Sequence, residues 1–358
     1  MELSATIPAL LNQQVATYGS ETILRKKDRG IWNAVTWSDL DARVREIGQG
    51  LCAAGISAGQ TVAVLSDTRP EFAYTDLAIL CRGATGVAVH PDEEPARVAE
   101  ILRETKAVCA IVEGEEQLDK LLGVRTACPE LRRIVIIDMK GLREFQDPDC
   151  LSLAKLIEGG AGRSDWNAAT ASVAPDQTAA ILVGRTGAPQ ALTHADILRR
   201  IEAAGANLEV RAGDERLAVL PMCDPTERVL GLYLALKHRI VSNYLENPET
   251  ATENLREVRP TVFGANSEAW ERLHGRTVAL SESATGFQRS LYNWAIRTGA
   301  GGGPMAALAN FLVLRAVRGQ LGFGRLRVAY VGDRAVPDDI VRWAAALGIT
   351  VRYYNPIQ

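Results

Sequence analysis

The sequence holds little histidine, no clustered cysteine and no excess of positive charge. Its four histidines, His90, His194, His238 and His274, do not cluster, so no local metal or catalytic constellation is legible. Six cysteines (Cys52, Cys81, Cys109, Cys128, Cys150, Cys223) show no C-x-x-C spacing and lie mostly in periodic apolar segments. That excludes a zinc-site reading and fits reduced thiols in a cytoplasmic protein better than a disulfide framework. With 40 Lys+Arg against 43 Asp+Glu the net charge is −3, which leaves no global basic field for nucleic acid. The N-terminal MELSATIPALLNQQ has neither a basic n-region nor a continuous apolar core, so it is not a secretory signal. The most apolar later run, Met305 to Leu314, is closed by Arg315 and is too short to span a bilayer. A buried helix is its first reading and a membrane-facing patch its second. No transmembrane segment is expected.

What is present is an α/β pattern. At 358 residues, 47% hydrophobic and 23% charged, the chain suits one large α/β domain or two smaller ones. Continuous apolar runs predict strands at 61–66, 85–90, 107–113 and 133–138, with amphipathic helices between them, one of them opening at Pro70. A second series of strands is predicted at 178–184, 216–221, 239–244, 260–264, 326–332 and 349–354. Strands apolar throughout and alternating with helices imply mainly parallel sheets covered on both faces. The small-residue stretch Gly159 to Gln177 separates the series, so two subdomains are expected, 1–175 and 176–358. The glycines of Thr298 to Pro304 link two helices and do not follow a strand, which argues against a dinucleotide fingerprint. The chain stops at Tyr353-Tyr354-Asn355-Pro356-Ile357-Gln358, directly after a predicted strand, which reads as a truncated domain.

One stretch carries a chemical question. In ILVGRTGAPQALTH (Ile181 to His194) a short apolar run leads into Gly184, Thr186, Gly187 and Pro189, as in a phosphate-cradling loop, yet no lysine follows. Taken with other segments it resembles the adenylate-forming superfamily, in particular the long-chain fatty acyl-CoA synthetases. Thr36 to Pro91 is similar to that family's opening region. Leu220 to Arg228, LPMCDPTER, resembles its L-P-L-x-H-x-x-E-R, and Arg259 to Leu273, RPTVFGANSEAWERL, resembles R-P-T-V-F-x-G-V-P-R-x-W-E-K. Leu326 to Gln358 parallels the stretch from S-G-G-A-P-L to Y-G-x-T-E. The order of these segments covers essentially the whole chain.

The resemblance implies the two α/β subdomains of the family's large N-terminal domain, with its β-barrel subdomain and C-terminal domain absent. It also implies an activity: ATP, with magnesium, activates a carboxylate as an acyl-adenylate, and the acyl group then passes to coenzyme A. That chemistry gathers anions and needs cations and hydrogen-bond donors around them. Against the family loop T-S-G-T-T-G-x-P-K-G, Gly184, Thr186, Gly187 and Pro189 remain, three hydroxyls are missing and Gln190 replaces the lysine. Arg185 is the one candidate for a compensating cation, or else a solvent-facing turn residue. Tyr354 matches the last motif, but Asn355, Ile357 and Gln358 replace its glycine, threonine and magnesium-binding glutamate; an amide is a poor ligand for a hard cation. In the adenine-side loop Asp333 and Arg334 replace small residues, either crowding it or pairing locally. Asp224 stands for the histidine of the L-P-L-x-H motif, and Glu227 and Arg228 read either as family matches or as a surface helix pair. Gly184, Thr186, Gly187 and Tyr354 are therefore expected to be a remnant nucleotide site. No catalytic or metal-binding residue is assigned. Phe263 and Trp270 are candidate walls of an acyl pocket, or core residues. The expected function is an acyl-CoA synthetase-like protein impaired in catalysis, keeping a role toward an acyl or acyl-adenylate ligand or toward a protein partner or second copy. A fatty acid–CoA ligase completed by another chain and a structural scaffold are the alternatives.

Overall fold

The structure is a computed structural model and describes residues 4–184, 189–301 and 303–354. Its strands, in chain order, are β1 (Thr22–Asp28), β2 (Ile31–Thr36), β3 (Thr61–Leu65), β4 (Thr85–Val89), β5 (Ala107–Val112), β6 (Arg133–Ile136), β7 (Cys150–Ser152), β8 (Thr178–Leu182), β9 (Gln190–Thr193), β10 (Glu215–Ala218), β11 (Val241–Tyr244), β12 (Val262–Ala265), β13 (Val328–Val331) and β14 (Val351–Tyr353). Two seven-stranded sheets result, in the orders β7-β6-β5-β3-β4-β8-β9 and β14-β13-β12-β10-β11-β1-β2. Among the described residues neither sheet closes into a barrel. Every strand expected from an apolar run is present. Those not expected are β1, β2, β7 and β9, which are charged, exposed or very short.

The chain divides into two compact units, one of Met1–Leu24, Ala34–Glu202 and Pro221–Lys237, the other of Arg25–Asn33, Ala203–Leu220 and His238–Gln358. In the first, β3, β4 and β5 are buried along their whole length and pair in parallel. This is what strands without hydrophobic alternation require. The helices Pro70–Cys81 and Pro95–Glu104 each begin at a proline, whose missing N–H costs nothing in a first turn. Helices Trp37–Ala53 and Leu153–Gly160 approach backbone to backbone: a Cβ on Gly160 would lie 2.4 Å from the Gly50 nitrogen.

Two charged residues lie at the centre of this unit. Arg228 and Asp76 are joined at 2.5 Å with side chains 1% exposed. Arg228 also donates from Nε to the Tyr233 hydroxyl (3.2 Å), from Nη1 to the Ile181 carbonyl (3.3 Å) and from Nη2 to the Gly86 carbonyl (3.1 Å). Tyr233 donates in turn to the other Asp76 oxygen at 2.6 Å. Gly86 leaves room for the guanidinium, since a Cβ there would lie 2.5 Å from Nη2. Burial opposes the charge on Arg228, but the Asp76 carboxylate outweighs it and holds the group protonated well above the usual arginine range. The surface-pair reading of Glu227 and Arg228 is overturned, because both are fully buried in the π-helical turn Glu227–Tyr233. The Asp76–Arg228 pair thereby links the helix Pro70–Cys81 to strands β4 and β8.

In the second unit β10, β11, β12, β13 and β14 pair in parallel. Lys27 of β1 bonds to Asn254 (2.7 Å) and Glu257 (2.5 Å) of the helix Ala251–Val258, which ties β1 to that helix. At the amino ends, Asp214 accepts from the Arg211 amide at 2.7 Å and the Thr261 hydroxyl at 2.8 Å, and pairs with Arg327. The run Met305 to Leu314 is helical, but the buried-helix expectation fails: Ala306, Ala309 and Leu314 face the core while Met305, Phe311 and Leu312 are more than half exposed.

Breaking one side of the buried pair strands the other charge. Asp76→Asn is expected to lower the unfolding free energy by about 3–5 kcal/mol. The double replacement Asp76→Leu with Arg228→Met is expected to cost less than Asp76→Asn alone, as read from urea-unfolding midpoints. A second outcome concerns His194, fully buried, whose Nδ1 accepts from the Ile7 amide at 3.4 Å. Burial lowers its pKa from 6.5 to about 4. The unfolded chain takes up that proton and the folded chain does not, so this contribution is complete above pH 6.5 and is lost as pH falls toward 4. The loss amounts to about 3 kcal/mol. Urea titrations across this window should show a shallower pH slope for His194→Gln than for the unaltered chain.

Candidate functional site

In parallel α/β sheets the carboxyl ends of the strands are where ligands bind. In the second unit the ends of β12, β13 and β14 present Asn266, the loop Gly332 to Val336, and Tyr354. The Tyr354 amide donates to the Val331 carbonyl at 2.9 Å, carrying the β14 pairing one residue further. Helix Ser267–Glu282 starts here with Asn266 as its cap, the side chain accepting from the Ala269 amide at 2.9 Å. Such a helix start offers free N–H groups that attract an anion. The chain supplies its own: Asp333 accepts from the Ser267 amide at 2.9 Å. Arg334 donates to Glu271 of the same helix at 3.0 Å, and Ser267 donates to that same carboxylate at 3.2 Å. Asp333 and Arg334 thus bind the helix and not one another.

In the first unit the strand that precedes Gly184 is β8. The sequence suggested a strand running through a loop to a helix; instead β9 pairs antiparallel with β8, Leu182 opposite Gln190. β8 and β9 are therefore the arms of one hairpin. Gly184, two residues beyond β8, and Gln190, the first residue of β9, are both half-buried. Arg185, Thr186 and Gly187 lie outside the described residues, as do Asn355, Ile357 and Gln358. The helix His194–Leu208 follows β9, with Thr193 and Asp196 capping it reciprocally: the Thr193 amide and hydroxyl donate to the Asp196 carboxylate at 3.1 and 2.8 Å, and the Asp196 amide donates back at 3.0 Å. Asp224, where the family pattern has histidine, accepts from the Thr226 amide at 2.7 Å, holding a turn before the π-helical segment.

Phe263 and Trp270 are 2% and 0% exposed and stack edge-to-face with ring centroids 5.4 Å apart, Phe323 lying 5.1 Å from Phe263. A separate groove of about 440 Å³ opens among the helices Ala251–Val258, Ser267–Glu282 and Gly286–Gly299 and the segment 303–320, lined by Leu273, Leu280, Val313, Val317 and Leu321, with Arg256, Arg276 and Gln320 among its polar residues. Sequence reasoning did not find this groove, whose lining comes from residues dispersed over four helices. Nor did it find Asp76, although a carboxylate within the apolar run PEFAYTDLAILC is itself a signal of buried pairing. Among the described residues no three histidine, cysteine or acidic side chains converge as a metal site, and the position matching the magnesium glutamate is among those not described. Replacing Asp333 by alanine is expected to remove a hydrogen bond at the helix start worth about 0.5–2 kcal/mol, measurable as a lower urea midpoint.

A family model described as AMP-binding enzyme matches residues 11–355. The long-chain-fatty-acid–CoA ligase ACSBG2 of Xenopus laevis is 23% identical over 371 residues, covering 97% of this chain and 50% of that protein. FadD15 of Mycobacterium tuberculosis, also a long-chain-fatty-acid–CoA ligase, is 24% identical over 90% of this chain and 55% of its own length. The chain thus spans about half the length of the curated relatives it matches. Among solved structures, the A-PCP didomain of a carboxylic acid reductase from Segniliparus rugosus, in complex with AMP, superposes with a TM-score of 0.77 at 16% identity, over 97% of this chain and 52% of that one. The N-terminal domain of FACL13 from Mycobacterium tuberculosis does so with a TM-score of 0.67 at 16% identity, over 99% and 76%. Two mainly parallel sheets and a family match along nearly the whole sequence agree: the chain belongs to the AMP-binding enzyme family, the adenylate-forming acyl-CoA and acid ligases.

Proposed function

We propose that this chain is a long-chain acyl-CoA synthetase-like protein impaired in adenylation, which retains the binding of an acyl or acyl-adenylate ligand. The observation that carries the reading is Asp333. Its carboxylate engages the Ser267 amide at strand ends where an anionic nucleotide needs donors, not a further negative charge. Substitutions elsewhere in the sequence point the same way: Gln190 stands where the family has a lysine, Gln358 where it has a glutamate, and the carboxylate of Asp224 is engaged in a turn. Losing one transition-state donor typically costs about 10²–10³ in rate, and several such losses leave little chemistry. The apolar groove of about 440 Å³ supports retention of a chain-like ligand.

The purified chain is expected to show no ATP–pyrophosphate exchange with any fatty acid. It is expected to melt at higher temperature with an acyl-adenylate analogue, since a ligand that binds only the folded state stabilises it by mass action. Absence of any thermal shift would point to a scaffold instead. The intact strand frame favours one second reading, an active fatty acid–CoA ligase with Arg185 in place of the lysine. Exchange that is robust and is abolished by Arg185→Ala would establish that reading over the first.

A further inference from the structure

In the second unit β12 and β13 run parallel, with Val262 opposite Val328. Arg259 and Arg325 each stand three residues ahead of one of these paired valines. Neighbouring strands in register therefore bring two cations together at their amino ends, the face opposite Asn266, Asp333 and Tyr354. Arg315 and Arg318 lie three apart on the helix Arg315–Gln320, a spacing that puts both on one side of it. All four arginines line a single polar cavity of about 570 Å³, completed by Asn310, Gly319 and Gly324.

No acid lines that cavity. Like charges at helical or cross-strand spacing repel, so four cations around one space call for a counter-charge, and the chain supplies little. Asp214 is taken by Arg327, the Arg211 amide and the Thr261 hydroxyl. Glu215 lies 3.9 Å from Arg325, at the outer limit of pairing, and is shared with Arg25 at 3.5 Å. The Arg259 side chain reaches only the Arg256 carbonyl, at 3.4 Å. Arg318 donates from Nη2 to the Phe323 and Leu326 carbonyls at 3.3 and 3.4 Å. Its Nε is closed off from solvent and meets no acceptor among the described residues, and a charged donor left without an acceptor is costly. Arg315 makes no side-chain hydrogen bond or ion pair among the described residues.

We infer that this cavity is an anion site for a small soluble polyphosphate, a diphosphate or triphosphate, at the amino-end face of the second sheet. A phosphate presents oxygens in several directions and engages guanidinium forks arriving from two strands and one helix, where a planar carboxylate fills one fork. The volume is that of a small-molecule site and leaves room for more than one phosphate. Neither an aromatic ring nor an aliphatic side chain lines it, so nothing there seats a base or an acyl chain, and the phosphate groups themselves are what the site reads. The inference uses none of the residues that carry the adenylation reading and stands if that reading fails.

The test is isothermal titration calorimetry of the purified chain with inorganic pyrophosphate and tripolyphosphate, against citrate and glycerol phosphate at equal ionic strength. Both polyphosphates are expected to bind, each about tenfold or more tighter than citrate or glycerol phosphate. Arg315→Gln is expected to weaken pyrophosphate by about tenfold or more, the loss of one charge-assisted contact. A Cβ at Gly324 would meet nothing within 4 Å, so Gly324→Asp gives the cavity an anion of its own. That variant is expected to abolish polyphosphate binding and to melt, without ligand, above Gly324→Asn, which makes the same backbone change without the charge. Should Arg315→Gln fail to fold, the two Gly324 variants decide. The inference is overturned if neither polyphosphate binds, if citrate or glycerol phosphate binds as tightly, or if Arg315→Gln and Gly324→Asp leave binding unchanged. Binding lost in Arg185→Ala and kept in Arg315→Gln also overturns it, since the anion would then belong to the segment carrying Arg185.

Discussion

A guanidinium buried with four partners is the constraint on which the first unit depends. Removing Arg228 and Asp76 from water is costly, and only near-complete hydrogen bonding offsets that cost. Four donated bonds, to Asp76, Tyr233, Gly86 and Ile181, supply it. Each partner lies on a different element, so the pair forms only when the helix Pro70–Cys81, β4, β8 and the π-helical turn are all in register. The Ile181 carbonyl lies three residues before Gly184, so the clamp holds β8 where it pairs with β9. Tyr233 is held neutral by the same burial, its ionisation pushed far up. It therefore keeps its hydroxyl hydrogen and donates a hydrogen bond to Asp76.

In the second unit the polar groups at the strand ends are turned inward. Asp333 and Arg334 bind the helix Ser267–Glu282, a satisfied local network in place of small residues that would let a ligand approach the backbone. The framework of an adenylate-forming fold persists in both units. A fold and its chemistry are separable, because the core is held by apolar packing and the chemistry by a few polar positions.

Charge is distributed unevenly, and average values hide this. A near-neutral chain contains a fifty-residue stretch without an acid, and the helices made from it bear Phe287 and Phe311 outward. The run Met305 to Leu314 looks like a core segment because its composition is apolar. Composition does not say which side of a helix has a neighbour: Ala306, Ala309 and Leu314 have one, and Phe311 and Leu312 do not.

The strands with continuous apolar runs, the prolines that start helices and the order of the family segments were all legible along the sequence. These are local or sequential properties, readable from spacing and residue type. The pairing of β9 with β8, the attachment of the β1–β2 hairpin to the second sheet, the burial of Asp76 with Arg228 and the partners of Asp333 and Arg334 were not. Each joins residues distant in sequence or polar in character, and a charged side chain looks the same in a string whether it faces water or a buried partner. Local sequence determined which elements form and which family they belong to. Tertiary packing decided which charges are buried, which helix start is already occupied and which apolar side chains remain exposed, because burial and pairing are properties of neighbours in space.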